Sequence, residues 1–346
     1  MKLDDVRWGI IGCGAVTESK SGPAFQNVAG SKLVAVMRRS GKLAEDYARR
    51  HGVPRWYDDA DRLLDDPEVN AIYVATPPGS HLEYVLRALK RGKPVYVEKP
   101  MARSHEECVR MIDAFAAANV PLFVAYSRRA LPRFLKAREL LAEGALGAIT
   151  GVSVRFTGPY HRQIDSNAPL PWRYRAEESG GGLLLDLGSH TLDILDFLVG
   201  PLTHVAGTAV NMSARYDVED AALVQFRVAS GALGSARWNF ASHRRIDEIV
   251  IEGEEGELRM TTFGDDPLEL ARGAETERFA IGNPTHIQES MIASVVAALR
   301  CERSCESTGV SAARTQAVMD AALESYYGSR RGEFWTDPAR WPKNRG

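Results

Sequence analysis

The sequence predicts an α/β fold in two parts: a doubly wound parallel sheet, then a second α/β domain built on a large, mostly antiparallel sheet. Three observations carry this. From residue 6 to about 125, short β-branched runs alternate with longer amphipathic stretches, the pattern of βαβ units. Later runs show in-out alternation and glycine turns of hairpin type. The chain has 346 residues, 45% of them hydrophobic, more than one ordinary domain needs for its core. The change of character near residue 125 gives domains 1–125 and 126–346.

The elements follow in order. "VRWGII" and "KLVAVM" read as the first two strands, and "AIYVATPP" and "KPVYVEKP" as the next two. Between the latter pair, "SHLEYVLRALKRG" has the spacing of an amphipathic helix closed by Gly92. "PLFVAYS" is a further strand, followed by a helix within "AYSRRALPRFLKARELLAEGALG". The second domain then runs through "AITGVSVRF", "THVAGTAVNMSAR", "AALVQFRVASGALGSARWNFA", "DEIVIEGEEGELRM" and "LELARG". Two helices, "QESMIASVVAALR" and "SAARTQAVMDAALESYYGSRR", close the fold, with no internal repeat or low-complexity tract.

A formal net charge of -2 with mixed signs gives no electrostatic case for nucleic acid or an anionic membrane, so small molecules are the expected partners. The charged start passes directly into a short strand without the pattern of a signal peptide, and no segment is long and apolar enough to span a bilayer. The four cysteines, Cys13, Cys108, Cys301 and Cys305, match neither a disulfide framework nor a zinc knuckle, which fits a reducing cytoplasm. Cys301 and Cys305 alone would leave a zinc ion half coordinated, so no metal site is expected.

Gly12 and Gly14 follow a strand and precede a stretch able to start a helix at Ala15 and Val16. That is the context of a dinucleotide phosphate loop, whose plain alternative is a tight turn. Thr17 stands where the fingerprint usually has a third Gly or Ala. The second strand ends at Arg38, Arg39 and Ser40, where an NAD-selecting fold places an acidic residue for the ribose hydroxyl. Two guanidiniums and a hydroxyl suit a 2′-phosphate instead. NADP is therefore the predicted cofactor and NAD the alternative; the bland reading is a solvated helix start.

Two more strand ends carry Thr76, Pro77, Pro78 and His81, and Glu98, Lys99 and Pro100. In an open α/β sheet, ligands bind outside the carboxyl ends of the strands, so these residues share one rim. In the second domain, Gly180 to Gly182 lead into an apolar segment broken by Asp186, His190, Asp193 and Asp196. At α-helical spacing Asp186, His190 and Asp193 are i, i+4 and i+7 and share a stripe, costly to bury unpaired and expected to face a polar pocket. A core histidine held by Asp186 and a divalent-cation site are the alternatives.

Taken together, "GIIGCGAV", "ATPPGSH", "GKPVYVEKPMA" and "SGGGLLLDLGSHTLDIL" resemble, in order and over essentially the whole chain, the glucose-fructose oxidoreductase, inositol dehydrogenase and MocA family of NAD(P)-dependent oxidoreductases. The resemblance implies a Rossmann domain, then an α/β domain whose open-faced sheet packs on another subunit as a homodimer or homotetramer. It implies an active site where the nicotinamide meets the second domain. Lys99 corresponds to the family's catalytic lysine, Asp186 and His190 to its aspartate and histidine, and the lysine–proline peptide is often cis in relatives. Trp172 and Arg173 match a segment that touches the cofactor in some NADP-dependent relatives, and Arg128, within "YSRR", sits where relatives place nicotinamide or substrate contacts. Tyr160, His161, Asp193 and Asn239 are candidate substrate contacts.

The chemistry asks for these residue types. Oxidising a secondary alcohol needs a base for the hydroxyl proton while hydride leaves for nicotinamide, and reduction needs the same group as an acid. An imidazole such as His190 serves near neutrality and Lys99 can stabilise developing alkoxide charge, the final proton transfer being open to either. The expected function is an NADP-preferring oxidoreductase acting on a secondary alcohol or ketone of a sugar, polyol, anhydrosugar or dihydrodiol. Its rivals are a non-catalytic NAD(P)-binding regulatory protein and an enzyme that recycles a tightly bound cofactor within one turnover.

Overall fold

The computed structural model describes residues 1–165 and 167–341. The chain divides into two compact units: one comprises Met1–Ala102, Glu106–Leu131 and Pro284–Ala313, the other Arg103–His105, Pro132–Asn283 and the chain from Arg314 onward.

The first unit holds six parallel strands, β1 (Val6–Ile11), β2 (Ser31–Met37), β3 (Arg55–Tyr57), β4 (Ala71–Val74), β5 (Val95–Val97) and β6 (Leu122–Val124). Their order is β3-β2-β1-β4-β5-β6, so the chain reverses direction across the sheet beside β1, the doubly wound arrangement. Successive side chains of a strand point to opposite faces, and both faces are covered. Ile72 and Val74 join Val85, Met111 and Phe115 in one apolar cluster. Ala71 and Tyr73 join Phe25, Tyr47, Met291 and Ile292 in the other. Burial on both faces explains why these strands read as continuous apolar runs.

The second unit holds eight strands, β7 (Ile149–Pro159), β8 (Thr203–Val210), β9 (Ala221–Arg227), β10 (Leu233–Asn239), β11 (Ala241–Gly253), β12 (Glu257–Met260), β13 (Leu268–Arg272) and β14 (Glu275–Phe279). Their order is β14-β13-β12-β11-β7-β10-β9-β8. The pairs are antiparallel except β7 with β10, as the expectation of a mostly antiparallel sheet requires. One face carries the buried Val152, Val154, Phe156, Val224, Phe226 and Trp238. The other leaves Ser153, Arg155, Leu223, Gln225, Ser235 and Arg237 exposed.

Strands β3 and β14 were not predicted. Both are short and mostly exposed, with no apolar face to mark them. Among the described residues no helix is long and apolar enough to cross a membrane.

Candidate active site

Because every strand of the first sheet is parallel, the residues that follow them gather on one edge. Backbone bonds tie these ends together: Gly12 N and Cys13 N donate to Met37 O at 2.9 and 3.1 Å, Ala75 N to Ile11 O at 2.9 Å, and Glu98 N to Val74 O at 2.8 Å. Gly12 has φ +94°, and a Cβ there would lie 2.6 Å from Thr76 Cγ2 and 3.0 Å from Thr76 N. Only glycine fits this turn without displacing β4's exit. At Gly14 an added Cβ would meet only Gly12 O, 3.8 Å away, so the surface above the turn is open.

Thr17 is fully buried, and its hydroxyl both donates to Gly14 O (2.9 Å) and accepts from Gly14 N (3.0 Å). In place of a third glycine, the chain thus uses a side chain to fix the turn. Ala15 and Val16 then open the short helix Ala15–Ser19, whose Thr17 and Glu18 amides donate back to Gly14 O at 3.0 and 3.2 Å. A cradle that excludes a side chain at Gly12 and open space above Gly14 together fit a dinucleotide pyrophosphate.

Arg38, Arg39 and Ser40 are exposed at the end of β2, and among the described residues neither arginine is ion-paired. Asp58, whose Cβ lies 3.5 Å from where a Cβ on Gly41 would stand, pairs with Arg62 at 3.4 Å; Glu18 is taken by Arg50 (2.7 Å) and His51 (2.8 Å), and Asp46 by Arg49 (2.6 Å) and Arg50 (2.7 Å). The Arg50 guanidinium holds the Glu18 carboxyl down at about 2. Burial pushes the Cys13 thiol up to about 11 while the Arg38 charge opposes the rise, which puts that guanidinium within electrostatic reach of the glycine turn.

Thr76 accepts a hydrogen bond from Ser80 Oγ at 2.8 Å, and the short helix Pro78–Ser80 follows Pro77. His81 is fully buried; its Nε2 lies 2.7 Å from Thr76 O and its Nδ1 3.2 Å from both Pro100 O and Met101 O. Both ring nitrogens are thus engaged by carbonyls, and burial pushes the imidazole below its ordinary pKa. The ring ties the exit of β4 to the exit of β5.

Lys99 is half-buried, and its peptide to Pro100 is cis. The preceding Glu98 is 7% exposed. Its Oε2 accepts from Lys99 N at 3.1 Å, and its Oε1 accepts from Gln288 Nε2 at 2.6 Å and from the Tyr73 hydroxyl. Gln288 Oε1 in turn accepts from the Tyr96 hydroxyl at 3.1 Å. A buried carboxylate needs such donors. Gln288 lies 190 residues downstream of Glu98, and nothing local in the sequence singles it out. Arg128 is half-buried in the turn Ser127–Ala130 that follows β6.

In the second unit, Asp186 lies on a π-helical turn, Leu184–Gly188, that runs into the α-helix Ser189–Val199. A π-turn widens the helix by about one residue, so the i, i+4 spacing of Asp186 and His190 does not give the phase of a straight α-helix. Asp186 Oδ2 accepts from Arg173 Nε at 2.8 Å, and that guanidinium stacks over the Trp172 ring with Cζ 4.4 Å from its centroid. Three predicted site residues therefore stand together. His190 is 8% exposed and meets the Phe263 ring edge-on at 5.5 Å. Phe263 packs on Phe156 (5.4 Å), and Phe156 on Tyr160 (6.0 Å), so an aromatic wall joins His190 to Tyr160. Phe263, absent from the predicted set, supplies the middle of that wall.

Asp193 is fully buried and accepts from Thr315 Oγ1 at 3.4 Å, while Asp196 accepts from Arg314 at 2.7 and 2.8 Å. His161 Nδ1 lies 3.4 Å from Phe240 O, and Asn239 Oδ1 accepts from Ala241 N at 3.0 Å. Among the described residues no group of three or more His, Cys, Asp or Glu is placed to hold a metal ion, and the Cys305 thiol packs on Met291 Sδ at 3.9 Å.

Residues 6–126 match the family described as oxidoreductase family, NAD-binding Rossmann fold, and residues 134–259 match the GFO/IDH/MocA C-terminal domain. An oxidoreductase of Formosa agariphila is 35% identical over 317 residues, 91% of this chain and 97% of that protein. A 1,5-anhydro-D-fructose reductase of Ensifer adhaerens is 28% identical over 308 residues, 88% of this chain and 91% of that protein. A solved levoglucosan dehydrogenase in complex with NADH shares the fold, with a TM-score of 0.84 at 24% identity, covering 93% of this chain and 96% of that one. The chain belongs to the GFO/IDH/MocA family of oxidoreductases.

Proposed function

We propose that the protein is an NADP-preferring oxidoreductase that moves hydride between nicotinamide and a secondary alcohol or ketone of a sugar, polyol, anhydrosugar or dihydrodiol. The observation that carries the reading is the edge of the first sheet, where the open glycine turn, the exposed Arg38 and Arg39 and the Glu98-supported Lys99 follow parallel strands. One relative is named for 1,5-anhydro-D-fructose and the structural neighbour for levoglucosan, which supports the anhydrosugar end of the range. That neighbour is described with NADH; the preference for NADP rests on this chain's own two arginines.

The dinucleotide would supply the hydride acceptor or donor. The first-turn amides of Ala15 and Val16, above Gly12 and Gly14, would hold its pyrophosphate, and Arg38, Arg39 and Ser40 its 2′-phosphate. Thr76, Pro77, Pro78 and Arg128 would line its path; Trp172 and Arg173 are further candidate cofactor contacts. His81 acts by placing Thr76 and Pro100. Lys99 hydrogen-bonds the reacting oxygen and stabilises its developing charge, Lys99 or His190 takes or returns the hydroxyl proton, and Asp186, held by Arg173, orients the imidazole. Tyr160 belongs to the substrate side, whereas Asp193, fully buried and hydrogen-bonded by Thr315 Oγ1, lies beneath the surface a substrate would touch.

The test is steady-state kinetics with NADP and NAD against a panel including levoglucosan, 1,5-anhydro-D-fructose and inositols. NADP should win by about tenfold or more in kcat/KM, the scale of one charge-assisted phosphate contact, and Arg38→Ala with Arg39→Ala should erase the gap. Equal or better efficiency with NAD overturns the 2′-phosphate assignment. Lys99→Met or His190→Ala retaining wild-type turnover overturns the role of that residue.

The second sheet's exposed face, with Leu223 at 58% and Leu233 at 67% exposure, supports a homodimer or homotetramer through it, and a monomeric mass by light scattering refutes that. All four cysteines are free thiols, in keeping with a reducing cytoplasm.

A further inference from the structure

Glycines 180 to 182 have no side chains with which to hold their own shape, and this stretch has maximal backbone freedom when unfolded. The fold imposes the shape from outside. Gly180 has φ +86°, and a Cβ there would come within 2.7 Å of Arg103 Cα; a Cβ on Gly182 would lie 2.1 Å from Glu219 O. The peptide groups are then gripped at both ends. Gly180 O accepts from Arg330 Nη1, and Gly182 N donates to Glu219 Oε2 at 2.8 Å. The same Glu219 oxygen accepts from the Tyr327 hydroxyl at 2.5 Å. Directly after the grip, Leu185 N donates to Gly182 O at 3.2 Å and the π-turn bearing Asp186 begins.

The gripping groups are an expensive choice. Glu219 is 1% exposed and Arg330 3% exposed; Arg330 Nη2 donates to Asp320 Oδ1, but Arg330 Nε and Glu219 Oε1 are buried with no hydrogen-bond partner. Burying a carboxylate or a guanidinium costs several kcal/mol unless every lone pair and proton is met. Neutral side chains would stabilise the unit more cheaply, so the pair is better explained by what it holds than by what it adds to stability.

We propose that Glu219 is a positioning residue: with Arg330 it clamps the turn Gly180–Gly182 and thereby sets the direction in which Asp186 and His190 are presented to substrate. The proposal rests on the reading above that Asp186 and His190 serve the reaction. Glu219 takes its part in the clamp through one acceptor atom, so a side chain of the same length that still presents an oxygen to Gly182 N and Tyr327 can replace it.

The test uses the full chain and four variants. Glu219→Ala removes the acceptor, Glu219→Gln keeps it, Tyr327→Phe removes one donor from the carboxylate, and Asp186→Asn probes the catalytic reading separately. Hydrogen exchange by mass spectrometry over residues 180–190 needs neither substrate nor cofactor. Glu219→Ala should raise exchange there at least about tenfold, Tyr327→Phe by a smaller factor, and Glu219→Gln by less than about threefold. With the sugar that turns over in the panel, Glu219→Ala should lower kcat about tenfold or more while the KM for NADP holds within about twofold, and Glu219→Gln should rescue kcat.

Unchanged exchange over 180–190 in Glu219→Ala overturns the clamp, as does a kcat loss in Glu219→Gln equal to that in Glu219→Ala. If Glu219→Ala does not fold, Tyr327→Phe decides: protection equal to wild type overturns the clamp. Wild-type turnover in Asp186→Asn overturns the catalytic reading alone, since the exchange result stands apart from it.

Discussion

Replacing Gln288 with Met keeps its length and removes both of its polar contacts in the first unit. Glu98 then loses the 2.6 Å donor on Oε1, and the Tyr96 hydroxyl, whose acceptor was Gln288 Oε1 at 3.1 Å, is left buried without one. A hydrogen bond to a charged group contributes about 1.5 to 3 kcal/mol, and an orphaned buried hydroxyl costs about 1 to 3 kcal/mol. Gln288 is 4% exposed, so water cannot make good either loss. The gain in apolar surface offsets about 1 kcal/mol, leaving a net destabilisation of about 1.5 to 5 kcal/mol. The sharper prediction concerns a second change. In the wild type, Tyr96→Phe deletes a satisfied hydroxyl and should destabilise by about 1 kcal/mol. In the Gln288→Met background the same change removes an orphan and should stabilise by a similar amount. Urea denaturation of the four proteins, at constant slope, reads both effects. If Tyr96→Phe has the same sign in both backgrounds, the relay from Tyr96 through Gln288 to Glu98 is not the support inferred for Lys99.

Two further outcomes follow from the geometry. Burial raises the Glu219 carboxyl from 4.5 to about 7, against the lowering pull of Tyr327, Gly182 and Arg330; Tyr326 is the other titratable group coupled to it. A folded-state pKa above the unfolded value gives a contribution that is fully present below about 4.5 and lost as pH rises through about 7, amounting to roughly 3 kcal/mol at most. Glu219→Gln should therefore gain stability relative to the wild type between pH 5 and 8, and a pH-independent difference in denaturation midpoints would contradict this. Gly12→Ala forces a side chain into positive φ and against Thr76, so it should destabilise the first unit by about 1 to 3 kcal/mol and raise the KM for NADP. Unchanged melting and unchanged KM would show that the turn tolerates a Cβ.

The sheet architecture was legible because its signals are local. Apolar runs ending in Gly12, Arg38, Thr76 and Glu98 mark parallel strands whose exits must share an edge, and in-out alternation from Val152 to Met260 marks a sheet with one buried face. Strands β3 and β14 escaped because three to five mostly exposed residues carry no pattern. The π-turn at Leu184–Gly188 escaped for a different reason. Helical periodicity assumes a constant rise, and the insertion that shifts the phase of His190 relative to Asp186 leaves no mark in composition.

What the sequence could not show is which groups support the ones it nominated. Lys99 is conspicuous because it ends an apolar strand, yet its backbone is held by Glu98, which depends on Gln288 from far along the chain. Asp186 is conspicuous in an apolar segment, yet the turn before it is shaped by Glu219 and Arg330, from either side of most of the second sheet. His81 is the converse case: its place beside Thr76 draws the eye, while its ring nitrogens face the carbonyls of Thr76, Pro100 and Met101. A residue's type and its strand end tell where chemistry can occur. The direction in which its polar atoms point is set by partners distant in sequence, and that is where the reaction's precision is built.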